Sequence, residues 1–177
     1  FSYSDKLEVL KKTIRGIKMA LDAIKILQDV VQINSVNGNE EEVANYLRAL
    51  LQEHDIATKI IPYSEGRASL VAEIGNGNGP VIGFDGHEDT VSLGDESKWT
   101  YPPLSATVTE EGKMYGRGTT DMKSGLVAAV VAMINLKESG VPLNGTVRLL
   151  ATVGEEKGEL GAGQLAELGY ADDMEAL

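Results

Sequence analysis

With 177 residues and 42% hydrophobic content the chain is long enough for one domain with a sizeable core, and no stretch of it approaches the ~20 apolar residues of a membrane span. Its 27 acidic against 16 basic side chains give a net charge of −11, which excludes the basic face needed to bind nucleic acid or an anionic membrane. The absence of cysteine excludes disulfides, thiolate metal sites and cysteine nucleophiles; with no basic-then-apolar leader, a cytoplasmic location is expected.

In chain order, residues 5–33 set Leu7, Leu10, Ile14, Ile17, Leu21 and Ile24 at three-four spacing, which predicts one helix with a heptad-like apolar stripe. In "NGNEEEVANYLRALLQEH", Asn39 is the candidate N-cap of a second helix, and Glu40, Glu41 and Glu42 complement its positive end. His54 is expected to be a solvated residue at the tail of that helix. "ATKII" and "SLVAEI" read as short strands. The glycine-rich "GNGNGP" is not a phosphate loop, since it leads into the strand "PVIGF" and opens no helix. "SATVTEEGKMYGRG" predicts two short strands about a Glu111-Gly112 turn, and "TTDMKSGLVAAVVAMINLKESG" a helix from near Asp121 to Gly140. "TVRLLATV" is another nearly unbroken apolar strand. Such runs imply burial on both faces, so the expected fold is α/β: a largely parallel central sheet flanked by helices.

In an open α/β sheet, ligands bind beyond the carboxyl ends of the strands. "GHEDT" follows the strand Val81 to Phe84, "GEE" at 154–156 follows Thr146 to Val153, and Asp121 sits at the mouth of a helix. A His-x-Asp pair alone is more often a hydrogen-bonded structural histidine, and adjacent glutamates usually mark a solvated face. Here three such groups converge on strand ends. His87 and Asp89, two apart in an extended segment, point the same way, so Asp89 can hold one imidazole nitrogen while the other faces a metal. His87, Asp121 and Glu156 supply imidazole and carboxylates suited to zinc, manganese or cobalt.

"GHEDTV", "WTYPPLSATVTEEGKMYGRGTTDMKSG" and "ATVGEEKGELGAGQL" resemble, in order and spacing, the metal-dependent deacylase and exopeptidase family of succinyl-diaminopimelate desuccinylase, acetylornithine deacetylase, aminoacylase and related carboxypeptidases. The resemblance runs from about Leu21 to Leu177, with "GRGTTDMKSG" its most diagnostic block. It implies two divalent metal ions, zinc with cobalt or manganese as alternatives. His87 becomes a ligand of one ion, Asp121 the carboxylate bridging both and Glu156 a ligand of the other. Asp89 becomes the orienter of His87, and Glu155 the general base for a metal-bridging water. The implied substrate is a small N-acyl amino acid or peptide, and the implied parent protein a homodimer.

The family's further carboxylate ligand, its lid and dimerisation domain, and its return segment with a last metal-binding histidine have no counterpart in these residues. Asp172 and Asp173 read as surface residues. The expectation is therefore an amino-terminal part of a catalytic domain over 21–177, preceded by a helical extension over 1–20, folded but inactive by itself. A dipeptidase or carboxypeptidase of the same family, or a non-catalytic binding module, is the alternative.

Overall fold

The computed structural model describes residues 21–177, so the expected extension over 1–20 lies outside the described residues. Helix α1 spans Ala23–Gln32 and is capped by Asp22, whose carboxylate accepts the Lys25 amide at 3.0 Å. Leu21 and Asp22 are not helical, so of the helix expected across 5–33 the described residues form only Ala23–Gln32. The buried face also differs from the heptad stripe: Ile26, Val30 and Val31 are inside while Ile24 is 55% exposed. Packing against helix α3 (Ser124–Ser139) selects this face.

Helix α2 spans Glu41–Glu53 and buries Val43, Ala44, Leu47 and Leu51 along one stripe. Its N-cap is Glu40, not Asn39, and the Glu40 side chain turns inward, fully buried, to meet Arg67. His54 closes α2, but its ring pairs with Glu138 of α3 and is only 11% exposed, so it is not the solvated residue expected. α3 is followed by Gly140 in the left-handed conformation (φ 67°), which a glycine adopts without a Cβ penalty.

The main sheet comprises β1 (Ala57–Ser64), β2 (Arg67–Gly75), β3 (Val81–His87), β6 (Thr146–Thr152) and β7 (Met174–Ala176), in the order β1-β2-β6-β3-β7. A separate ribbon pairs β4 (Thr107–Val108) with β5 (Met114–Tyr115), as the Glu111-Gly112 turn predicts. The α/β architecture expected from the sequence is present, and its sheet is mixed. β1–β2 and β2–β6 are antiparallel, while β6–β3 and β3–β7 are parallel. β6 is flanked on both sides and covered on both faces, hence its apolar run; burial alone does not reveal the direction of each neighbour.

One face of the sheet buries Leu70, Ala72, Leu149 and Ala151 against α1, α2 and α3. The other packs Ile61, Val71 and Leu150 on Leu165 of helix α4 (Leu160–Glu167). Each fully buried aliphatic side chain of this kind contributes roughly 1.5–3 kcal/mol. Arg148 interrupts the apolar run of β6 and is satisfied by Glu73, the Tyr170 carbonyl and Asp173. The parallel pairing aligns His87 with Thr152, so the chain segments that leave β3 and β6 emerge side by side.

Candidate metal centre

His87 is the last residue of β3, and its ring is only 5% exposed. Its Nδ1 lies 2.9 Å from the main-chain oxygen of Asp89 and 3.5 Å from the Asp89 carboxylate. A proton on Nδ1 donated to that carbonyl leaves Nε2 facing the cleft, where Asp121 Oδ1 is 3.0 Å away and Glu155 Oε2 3.9 Å away. Asp121 is 77% exposed and precedes the regular helix: Asp121 and Met122 have non-helical dihedral angles, their peptide bond is cis, and α3 begins at Ser124. The helix expected from near Asp121 therefore starts three residues later.

Glu155 and Glu156 lie on a short 3-10 turn, Glu155–Lys157, just beyond β6. Gly154 ahead of it has φ 66°, and a Cβ there would come within 2.8 Å of Arg67 Nη2. Asp89 is fully buried and accepts the amides of Glu155 at 3.1 Å and Glu156 at 3.2 Å, so one carboxylate fastens the glutamate turn to the end of β3.

Ligand atoms of His87, Asp121 and Glu156 lie within 4.8 Å of one another. One imidazole and two carboxylates from three segments form a donor set that fits zinc, cobalt or manganese. Glu155 stands beside this cluster, half-exposed. A cavity of about 270 Å³ adjoins it, lined by Asp85, Gly86, His87, Met122, Thr152, Glu155, Glu159 and Ala162.

The electrostatics follow the packing. Burial disfavours the charged His87 ring, but the nearby Asp89 carboxylate, the hydrogen bond to Asp121 and the hydrogen bond to the Asp89 carbonyl outweigh it and lift the pKa to about 9. For Asp89, burial works upward, and the hydrogen bonds from His87 and from the Glu155 and Glu156 amides hold it below the usual carboxylate range. Burial pushes Asp85 up despite its bond from Thr152. Glu88, fully buried with neither carboxylate oxygen hydrogen-bonded, is pushed well up by burial and by the nearby Glu40 and Asp89 charges.

The chain matches peptidase family M20/M25/M40 over residues 83–177. It belongs to that family. Members are metal-dependent hydrolases. This M20 chain is 51% identical, over 156 residues, to a probable succinyl-diaminopimelate desuccinylase of Staphylococcus epidermidis; the match covers 88% of the chain and 38% of that protein. The chain thus spans less than half the length of the curated relatives it matches. Among solved structures, the di-peptidase Dug1p of Saccharomyces cerevisiae superposes with a TM-score of 0.72 at 19% identity, covering 96% of this chain and 38% of that one. The Bacillus subtilis YXEP protein, a dinuclear metal binding peptidase of the M20 family, superposes with a TM-score of 0.61 at 23% identity, covering 86% and 40%. At these identities the structural likeness establishes the fold of the M20 chain.

The sequence motifs point to the five cleft residues but not to the charges beneath them. Arg67 grips Glu40 through two hydrogen bonds, of 3.0 and 2.6 Å. Lys123 is fully buried. A lysine at the positive start of a helix is disfavoured by the dipole, and that misplacement in "DMKSG" was a usable clue. Among the described residues, no helix is long and apolar enough to cross a membrane.

Proposed function

We propose that the full-length protein hydrolyses the amide bond of a small N-acyl amino acid, with an N-succinyl group as its acyl chain. The observation that carries this reading is the convergence of His87, Asp121 and Glu156 within 4.8 Å, with the half-exposed carboxylate of Glu155 beside them. The succinyl preference is drawn from the relative at 51% identity.

In this reading His87, Asp121 and Glu156 would hold two divalent cations, zinc with cobalt or manganese as alternatives, with Asp121 as the carboxylate that would be shared between them. When bound, such ions polarise the amide carbonyl and lower the pKa of water from about 15.7 toward about 7. The residues of the chain do the rest. The Asp89 carbonyl accepts the Nδ1 proton of His87, so Nε2 is the nitrogen that would give up its proton to bind a cation. Asp89 holds the Glu155 main chain, which sets where the Glu155 carboxylate stands. Glu155 takes a proton from the attacking water at its carboxylate oxygen and delivers it to the leaving nitrogen as the C–N bond breaks. The products are a free carboxylate and an amine.

Residues 21–177 are the amino-terminal part of this catalytic domain. Three donors among the described residues are few for two ions, so the 177-residue chain alone is proposed to hold metal weakly and to turn over little.

The test is hydrolysis of N-succinyl and N-acetyl amino acids by the full-length protein, before chelation, after it, and with zinc restored. Loss on chelation, recovery with zinc and preference for the succinyl substrates are expected. Activity indifferent to chelation would overturn the metal reading, and equal rates on both acyl groups the succinyl assignment.

A further inference from the structure

The two segments that bear His87 and Asp121 meet on a third that carries no candidate ligand. This is the loop Ile33–Asn37, between α1 and α2. On the β3 side, Ser35 Oγ donates to the Glu88 carbonyl at 2.7 Å, and the Ser35 carbonyl accepts the Thr90 amide at 3.0 Å. Val36 forms a parallel bridge with Thr90, and Asn37 Nδ2 donates to the Thr90 carbonyl at 3.3 Å. The backbone on either side of Asp89 is thus laid against the loop.

On the Asp121 side one side chain makes the connection. Lys123 runs fully buried from the turn after Asp121 and donates its ammonium to the Val30 and Ile33 carbonyls, each at 2.9 Å. Those carbonyls end α1, where helical partners are lacking and a cation is favoured. The Lys123 amide donates to the Gly118 carbonyl at 2.9 Å, which closes the turn that contains Asp121. Gly118 (φ 81°) packs so closely that a Cβ there would lie 2.6 Å from Thr90 Cγ2 and 3.3 Å from Lys123 Cδ. The loop, the end of β3 and the Asp121 turn therefore form one packed unit. The Lys123 ammonium is buried within it, and so is the Glu88 carboxyl, whose oxygens have no hydrogen-bond partner.

We propose that Lys123 is a positioning residue for the candidate metal centre: by fastening the Asp121 turn to the α1–α2 loop, it holds Asp121 at the distance from His87 that a shared ion needs. The proposal rests on the reading of His87 and Asp121 as ligands. If Lys123 were no more than a remote cap for α1, its loss would lower stability and leave the His87–Asp121 spacing unchanged. A positioning role moves both. Outer groups that orient ligands typically change metal affinity by about 10- to 100-fold when removed.

The experiment uses the full-length protein with Lys123→Met, which keeps most of the stem and removes the ammonium. Ser35→Ala is the second variant, taking a bond from the same loop without stranding a charge. Met133→Ala, in the α3 core remote from the cleft, is the control for lost stability. Thermal midpoints, the dissociation constant and visible absorption spectrum of bound Co2+, and the metal-free NMR signals of the His87 ring are measured for each. The expected result is a Co2+ constant weakened at least about 10-fold in Lys123→Met. A changed cobalt spectrum and displaced His87 ring signals should accompany it. Ser35→Ala should show the same changes to a smaller degree, and Met133→Ala should lower the midpoint alone. Unchanged constants and ring signals in the lysine variant, or equal changes in Met133→Ala, would overturn the proposal. If Lys123→Met does not fold, Ser35→Ala decides by the same criteria. Failure of the full-length parent protein to bind Co2+ would overturn the ligand reading itself, and the metal-free ring signals would then judge the positioning role separately.

Discussion

Asp89 reaches across the cleft floor to Glu155, accepting its amide at 3.1 Å with one carboxylate oxygen and the Glu156 amide at 3.2 Å with the other. Both bonds are made by a side chain with no exposure to solvent. In Asp89→Asn one oxygen becomes an NH2 group, which cannot accept, so one of the two amides loses its partner. A cost of about 1–3 kcal/mol is expected, visible as a lower urea midpoint. Faster exchange of the Glu155 or Glu156 amide should accompany it. Unchanged protection of both amides would show that the turn does not depend on Asp89.

The adjacent glutamates should respond differently to the same substitution. In the full-length protein, Glu155→Ala is expected to retain metal and to lose at least about 100-fold in turnover, the usual scale for an acid-base group. Glu156→Ala should lose metal as well, since Glu156 belongs to the donor cluster and Glu155 does not. Metal content by elemental analysis beside kcat separates them, and equal metal loss in both variants would mean that the two roles are wrongly divided.

Arg67 and Glu40 lie 27 residues apart in sequence and form a two-bond pair, with Glu40 fully buried and Arg67 15% exposed. Removing one partner leaves the other charge uncompensated in the interior. Arg67→Met should therefore cost about 3–5 kcal/mol in urea unfolding, and the double variant with Glu40→Leu should recover a large part of that loss. Additive losses would argue against the pair.

Strand β7 is tied down by Asp173, whose carboxylate accepts from Arg148 Nη1 at 2.5 Å and Nη2 at 3.1 Å. Those bonds hold the Asp173 carboxyl below its ordinary range, against a smaller upward effect of burial. A carboxyl depressed in the folded state binds its proton less tightly there than in the unfolded chain. Its contribution is complete above the unfolded value and is lost as pH falls through the folded one. Amide protection of Met174–Ala176 should hold at pH 6 and above, about two units over the ordinary Asp value, and decline on acidification below about pH 4. In Asp173→Asn that acid dependence should be absent. A decline of the same size in the variant would assign the effect to other carboxylates.

The sequence alone determined the α/β class and the elements around the cleft. The alternation of apolar runs with three-four spacing, and the glycine stop at Gly140, depend on local backbone chemistry that any fold must obey. It also determined family membership, because "GHEDTV", "GRGTTDMKSG" and "GEE" place chemically unusual groups at strand ends in a fixed order. The directions of the strands were left to the tertiary structure: an apolar run reports burial, and β6 is equally buried beside antiparallel β2 and parallel β3. So was the fate of individual charges. Glu40 and Glu41 are adjacent acids at a helix start, yet one is wholly inside and paired to Arg67 while the other is half-buried at the first turn of α2. Lys123 stands out locally only as a lysine at a helix start, and Glu88 not at all, because the partners that make a buried charge tolerable come from segments as far as about 90 residues away. Only the folded chain brings those segments into contact, and with them the spacing of His87, Asp121 and Glu156.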